Sequence, residues 1–165
     1  MKWMLTTAAI AAFTFTASAD RAADFIKGIE GFRSSAYLCQ AGELAIGYGF
    51  TDKKIISKGY ISQTEADIEL DRICREIRIR LRRELKRQHL TEHEETAVIS
   101  FIYNVGWHNF KCSSLFRLLI HGNRGGIVAD EFVRWVYVRQ NGRKVISNGL
   151  KKRRLAESVL FKGRK

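Results

Sequence analysis

Ile29-Glu30-Gly31-Phe32-Arg33, followed by Ala36-Tyr37-Leu38-Cys39-Gln40-Ala41-Gly42-Glu43-Leu44-Ala45-Ile46-Gly47-Tyr48-Gly49-Phe50-Thr51, is the stretch on which the fold turns. On its N-terminal side Phe25, Ile26, Ile29 and Phe32 recur at helical spacing, so Asp24 to Phe32 reads as one helix. The period then changes. Tyr37 to Gly42 reads as a strand and turn, and Glu43 to Phe50 as a returning strand laced with glycine. Ile55-Ile56 is expected to add a third short strand. Glu30 therefore ends a helix just where a tight hairpin begins, an arrangement that makes one wall of a cleft. A partly desolvated carboxyl beside Ile29 and Phe32 is the kind of group that general acid catalysis uses. Taken alone, however, a Glu near a helix end is ordinarily a solvated surface residue.

Further along, helical signals dominate. Ser62-Gln63-Thr64-Glu65 is a capping box that opens a long basic helix running to about Lys86. Thr91-Glu92-His93-Glu94 repeats the device before a helix carrying Ala97, Val98, Phe101, Ile102 and Val105 on one side. Ser113 caps a shorter helix that ends at His121-Gly122, where glycine suits a left-handed stop. Ile127 to Val138 reads as another helix, and a last one runs from near Gly149 to Phe161. The sum is an α+β domain: mainly helical, with a small antiparallel sheet lobe at about 33–60 and a helical lobe at about 62–161.

Composition sets outer bounds. A chain of 165 residues with 45% apolar residues buries a sizeable core and is neither disordered nor a charged tail. Its formal charge of +12 makes it a sink for anions of some kind. The first nineteen residues stand apart: one cation at Lys2, an uncharged run from Trp3 to Thr16, then Ala17-Ser18-Ala19 in the pattern of a signal-peptidase site. Two fates fit this segment, removal to leave a domain at 20–165, or retention as a short anchor that is later released. Either one exports the protein to the periplasm or beyond. Export argues against a nucleic-acid-binding role, and no basic-aromatic reader motif is present.

The front motif closely resembles that of phage-type lysozymes, glycoside hydrolase family 24. The likeness continues through Ser100-Phe101-Ile102-Tyr103-Asn104-Val105-Gly106, Ser113-Ser114-Leu115, Arg134-Trp135-Val136 and Gly149-Leu150-Lys151-Lys152-Arg153-Arg154 with Ala156-Glu157. It spans nearly all of Asp20 to Phe161. The resemblance implies a lysozyme-like fold and hydrolysis of the β-1,4 bond between N-acetylmuramic acid and N-acetylglucosamine in peptidoglycan, by an endolysin or a prophage-derived wall hydrolase. It implies no metal or organic cofactor. Glu30 matches the family's proton donor and Cys39 its second position, near the attacking water, in the two-group logic of glycoside hydrolysis. Asn104, Tyr48 and Lys152 fall at matching positions suited to holding substrate.

The departures from the family pattern are informative. Where a Thr helps hold the water this chain has Ala45, and where the family's usual Gly-His-Thr stands it has Gly49-Phe50-Thr51. Loose positioning of the water costs on the order of 10²-fold in rate. A glycan-binding protein that cleaves poorly is the alternative these residues raise. Glu43 is a candidate replacement, because alternation along a strand puts it on the same face as Ala45. Lys152 cannot make the planar fork of the Arg that commonly opens the basic cluster of the last helix.

Other features have plain readings beside functional ones. Cys74 and Cys112 are expected to pair after export or to remain as packing residues, with Cys39 free. The cations from Arg72 to Arg87 form a solvated helix face, with attraction to anionic wall or outer-membrane polymers as the functional reading. His89, His93, His108 and His121 show no metal spacing. Trp107 and Trp135 offer rings for sugar stacking, although packing is the ordinary role of Trp135. The chain is expected to be a monomer.

Overall fold

The computed structural model describes residues 20–39, 42–140 and 142–163. The candidate leader lies outside the described residues. Helix α1 (Arg21–Glu30) starts at Asp20, whose side chain accepts from the Ala22 N–H at 2.9 Å. It buries Ala22, Ala23 and Ile26 and stops at Gly31, whose φ of 68° lets the chain turn sharply into the sheet. Strands β1 (Arg33–Leu38) and β2 (Leu44–Gly47) pair antiparallel, with Tyr37 opposite Ala45 and Leu38 opposite Leu44. The expected third strand is absent from this sheet. Asp52 accepts from the Lys54 N–H at 2.7 Å and starts a single helical turn, α2 (Lys53–Ile56), because a short side-chain acceptor ahead of free N–H groups favours a helix start over extension.

Both capping boxes form as the sequence predicts. Ser62 heads α3 (Gln63–Leu85) and Thr91 heads α4 (Glu92–Val105), each exchanging bonds with the Glu three residues on. At 23 residues, α3 spans about 34 Å and links the small lobe to the rest. Its basic face is partly neutralised: Arg72 pairs with Glu69 and Glu76, Arg78 with Asp20 and Glu95, and Arg82 with Glu95.

Helix α4 is the centre of the larger lobe. Residues from Glu94 to Ile102 are all buried, and the polar Glu94, Glu95, Thr96 and Ser100 are enclosed along with the apolar side chains. Phe101 sits edge-on to Phe132 and Trp135, with ring centroids 5.4 Å away in each case, and to Phe110 at 6.5 Å. Phe110 comes from α5 (Trp107–Lys111), a short turn not anticipated from the sequence, Phe132 from the end of α7 (Gly126–Phe132), and Trp135 from the segment just after it. Trp135 is thereby a packing residue. The remaining helices are α6 (Ser114–Ile120), capped by Ser113, and α8 (Asn148–Phe161), which packs along α4.

The helix expected over Ile127 to Val138 is shorter than its apolar pattern suggested. It stops at Phe132, and the chain then forms a second hairpin from β3 (Tyr137–Gln140) and β4 (Arg143–Ile146). Tyr137, Val138, Val145 and Ile146 face one another across it, and cross-strand pairing of β-branched and aromatic residues overrides the helical reading. Of the two alternatives for Cys74 and Cys112, pairing or remaining as single thiols, the structure shows the second. All three thiols are free, with Cys74 buried on the core side of α3 and Cys112 exposed, 3.9 Å from the His108 ring nitrogen. Among the described residues no helix is long and apolar enough to cross a membrane.

Candidate active site

The end of α1, strand β1, the end of α4 and the start of α8 enclose a cleft of about 460 Å³. Glu30, Tyr37, Cys39, Asn104, Val138 and Arg153 are among its lining residues. A second hollow of about 590 Å³ shares Asn104, Val138 and Leu150 with it and continues past Trp135 and Lys144. A third, of about 510 Å³, lies between Gly49–Asp52, α3 and the Tyr103 side of α4. Gly49 stands between this third hollow and the Glu30 carboxylate: its φ is +90°, and a Cβ there would lie 3.8 Å from Oε2. A side chain at 49 is both strained and aimed at that carboxylate.

Glu30 is held at the surface of the cleft by a deeply placed partner. Its side chain is 25% exposed, whereas Arg153, which donates to Glu30 Oε1 from Nη1, is 3% exposed. Arg153 also donates from Nε to Glu157 Oε1 at 3.0 Å and from Nη2 to the Ser100 carbonyl at 3.0 Å. Glu157 is completely buried and accepts from the Ser100 hydroxyl at 2.7 Å and from Arg154 Nη1. Arg154 in turn donates to Asn104 Oδ1 and to the Trp135 carbonyl at 3.1 Å, with its guanidinium 4.7 Å above the Phe101 ring. Burial pulls Arg154 below the ordinary guanidinium value, opposed by the charge of Glu157. The chain of contacts Glu30–Arg153–Glu157–Arg154–Asn104 thus begins and ends on cleft-lining residues, with the fully buried Glu157 between the two guanidiniums.

The neighbouring phenols respond to this charge. Burial pushes Tyr103 far up, and the Glu30 carboxylate adds to the shift. Burial and then Glu30 also raise Tyr37, with Arg33 opposing. Both hydroxyls therefore stay protonated and act only as hydrogen-bonding groups near neutral pH. Tyr103 donates to the Tyr48 carbonyl at 2.8 Å, tying α4 to the small lobe.

The structure brings together three of the sequence-predicted residues, Glu30, Cys39 and Asn104, in one cleft. It separates the others. Glu43 is exposed, just ahead of β2 and outside the cleft lining, while Ala45 is buried. The predicted shared face therefore delivers no carboxylate to the cleft, because the ordered strand starts only at Leu44. Tyr48 is buried among Phe32 and Phe50 and donates to Asp67 at 2.7 Å, so its ring is not free to stack on a sugar. Lys152 is exposed outside the lining, and the arginine that reaches Glu30 is the next residue, Arg153. One residue is 100° of helix rotation, which decides which of two adjacent cations faces the cleft.

Arg153, Arg154, Glu157 and Ser100 are the site-supporting residues that sequence reasoning missed. A signal for them exists. Glu157 lies four residues after Arg153 and three after Arg154, the spacings that meet on a helix, and Ser100 interrupts the apolar run of α4. Among the described residues no group of three or more His, Cys, Asp or Glu is arranged to hold a metal ion.

Comparison with known proteins places these features in context. The family described as Phage lysozyme matches residues 27–157. An endolysin of Acyrthosiphon pisum secondary endosymbiont phage 1 is 35% identical over 136 residues, 82% of this chain and 91% of that protein. A SAR-endolysin of Bacteriophage PS119 is 32% identical over 113 residues, 67% of this chain and 65% of its own length. Among solved structures, an endolysin from Escherichia coli O157:H7 phage FAHEc1 aligns with a TM-score of 0.71 at 28% identity, covering 86% of this chain and 90% of that one.

Proposed function

The chain belongs to the phage lysozyme family and is a peptidoglycan-degrading muramidase, and from that premise we propose that Glu30 is its proton donor and that Cys39 lies on the water side of the same cleft. The observation that carries this reading is the pairing of Glu30, 25% exposed in the cleft wall, with a guanidinium, Arg153, that is only 3% exposed. In this reaction Glu30 gives its proton to the bridging oxygen as the C1–oxygen bond breaks. Water attacks C1 from the opposite face of the sugar and releases its proton to bulk solvent as the new bond forms, and the Glu30 carboxylate regains a proton from solvent before the next turnover. Asn104, turned by Arg154 to present its amide N–H to the cleft, is the substrate-holding residue. No role in this mechanism is proposed for Glu43, Tyr48 or Lys152, none of which is among the cleft-lining residues. Neither the fold nor the relatives favour a non-cleaving glycan binder.

The test is clearing of exposed cell walls followed by turbidity. Glu30→Gln keeps the shape and the hydrogen bond to Arg153 but has no proton to give, and a loss of at least 10²-fold is expected. Equal clearing by both proteins refutes the assignment.

Two further readings concern the whole chain. Residues 1–19 are a leader that is cut after Ala19 or kept as a releasable anchor, and 20–165 is the enzyme domain. The uncharged run ending in Ala17-Ser18-Ala19 supports this, as does the relative named a SAR-endolysin. N-terminal sequencing of the exported product separates the two fates. Arg75, Arg83, Lys86 and Arg87 are exposed on or just beyond α3 and give the monomeric enzyme an attraction to anionic wall or outer-membrane polymers. Pelleting with walls that does not weaken from low to high salt contradicts this.

A further inference from the structure

We propose that Glu157, which no substrate atom reaches, is a positioning residue for both cleft-facing groups: it divides Arg153 between itself and Glu30, and it holds Arg154 on Asn104. The inference rests on Glu30 being the proton donor and goes beyond it.

The problem it addresses is electrostatic. A general acid must carry its proton when the glycosidic oxygen arrives, and an arginine against a carboxyl favours the form without the proton. Arginine cannot relieve this by losing its own charge. Relief requires another anion on the far side of the guanidinium. Glu157 is that anion: it is 0% exposed and accepts from Arg153 Nε, Arg154 Nη1 and the Ser100 hydroxyl. Two carboxylates and two guanidiniums form a balanced set, and removing one charge leaves the remainder acting on Glu30. The other groups facing Glu30 are Arg33 and Tyr37 from β1, Cys39 just after it, and Tyr103 from α4. Of these only Arg33 is a cation, and its guanidinium lies over the Tyr37 ring at 4.6 Å.

The second arm acts on binding. Arginine only donates, so the Asn104 atom facing Arg154 is the carbonyl oxygen, and the amide nitrogen is left for the cleft. There it can donate to a carbonyl or hydroxyl oxygen of a sugar. Arg154 keeps that orientation because Glu157 and the Trp135 carbonyl fix the rest of its fork.

The experiment measures kcat and KM against pH on soluble glycan strands. Glu157→Gln retains size and the acceptor for Ser100 but removes the charge. Arg153 then bears undivided on Glu30, and the alkaline limb of kcat/KM moves to lower pH by at least half a unit. Glu157→Asp keeps the charge and returns the limb toward its original position. A residue with only a structural role lowers activity in both variants without moving the limb, and that result overturns the proposal. Arg154→Lys tests the other arm and keeps a charge in the core should Glu157→Gln fail to fold. It raises KM several-fold with the limb in place, and an unchanged KM overturns the proposal. The underlying reading fails separately. A Glu30→Gln protein that still clears walls sinks the proton donor, whereas an inactive Glu30→Gln protein beside an unmoved limb sinks only the role of Glu157.

Discussion

Arg153→Met is the most demanding perturbation of this molecule, because it withdraws one cation from between two carboxylates. Arg153 is 3% exposed, so the side chain that replaces it stays in the core and Met fills most of the space. Glu157 loses one of its two guanidiniums, and Glu30 loses the ion-pair partner that holds it. Breaking a buried ion pair on one side costs about 3–5 kcal/mol, because the remaining charge stays desolvated. For a domain of this size each kcal/mol lowers Tm by about 2–4 °C, so a fall of roughly 6–20 °C is expected at pH 7. Thermal unfolding followed by circular dichroism at pH 7, variant against parent, measures the fall. A Tm difference under 2 °C refutes the view that Arg153 is a charge the core depends on.

Two more predictions rest on charges and thiols away from the cleft. Burial works to raise the Asp20 carboxyl, but the bonds from Arg78 and the Ala22 and Ala23 amides outweigh it and hold the group below its ordinary value. A lowered folded pKa gives stability that is present above the unfolded value and lost as pH falls through the folded one. Asp20→Ala is therefore expected to cost on the order of 1–2 kcal/mol at pH 7, by denaturant titration, and progressively less in acid. Burial pushes the Cys74 thiol up to about 12, while Cys112 is exposed and Cys39 half-buried. A thiol reagent on the native protein is expected to count two reactive cysteines and a third only on unfolding.

The parts of this fold that were readable in the sequence are those written in local chemistry. Ser62 and Thr91 each carry their partner Glu three residues away, so both helix starts were visible without tertiary information. The change of period after Glu30 likewise announced the first hairpin. The second hairpin was hidden because Ile127 to Val138 satisfies a helical pattern, and only pairing with Val145 and Ile146 ends it. Lys152 was preferred over Arg153 for a similar reason: motif alignment gives order along the chain, whereas reaching Glu30 from 123 residues away is a matter of helix phase. Glu157 enters the sequence reading only as the end of a motif, with no role attached. Its importance comes from being buried, and burial of a charge is a property of the packed molecule.

The fold also reinterprets the departures from the family pattern. Ala45 and Phe50 are both buried in the small lobe, and Phe50 packs edge-on to Tyr48 at 6.3 Å. These substitutions exchange polar groups for apolar packing inside the lobe, and none of the cleft-lining residues is removed by them. Cys39 remains in the lining of the Glu30 cleft beside Asn104. On the proposed mechanism the acid side carries the reaction, and the proposed role of Glu157 is to hold Arg153 and Arg154, and through them Glu30 and Asn104, from a position with no solvent exposure. The residues to which that proposal makes turnover most sensitive are then Arg153, Arg154 and Glu157, side chains almost without solvent exposure.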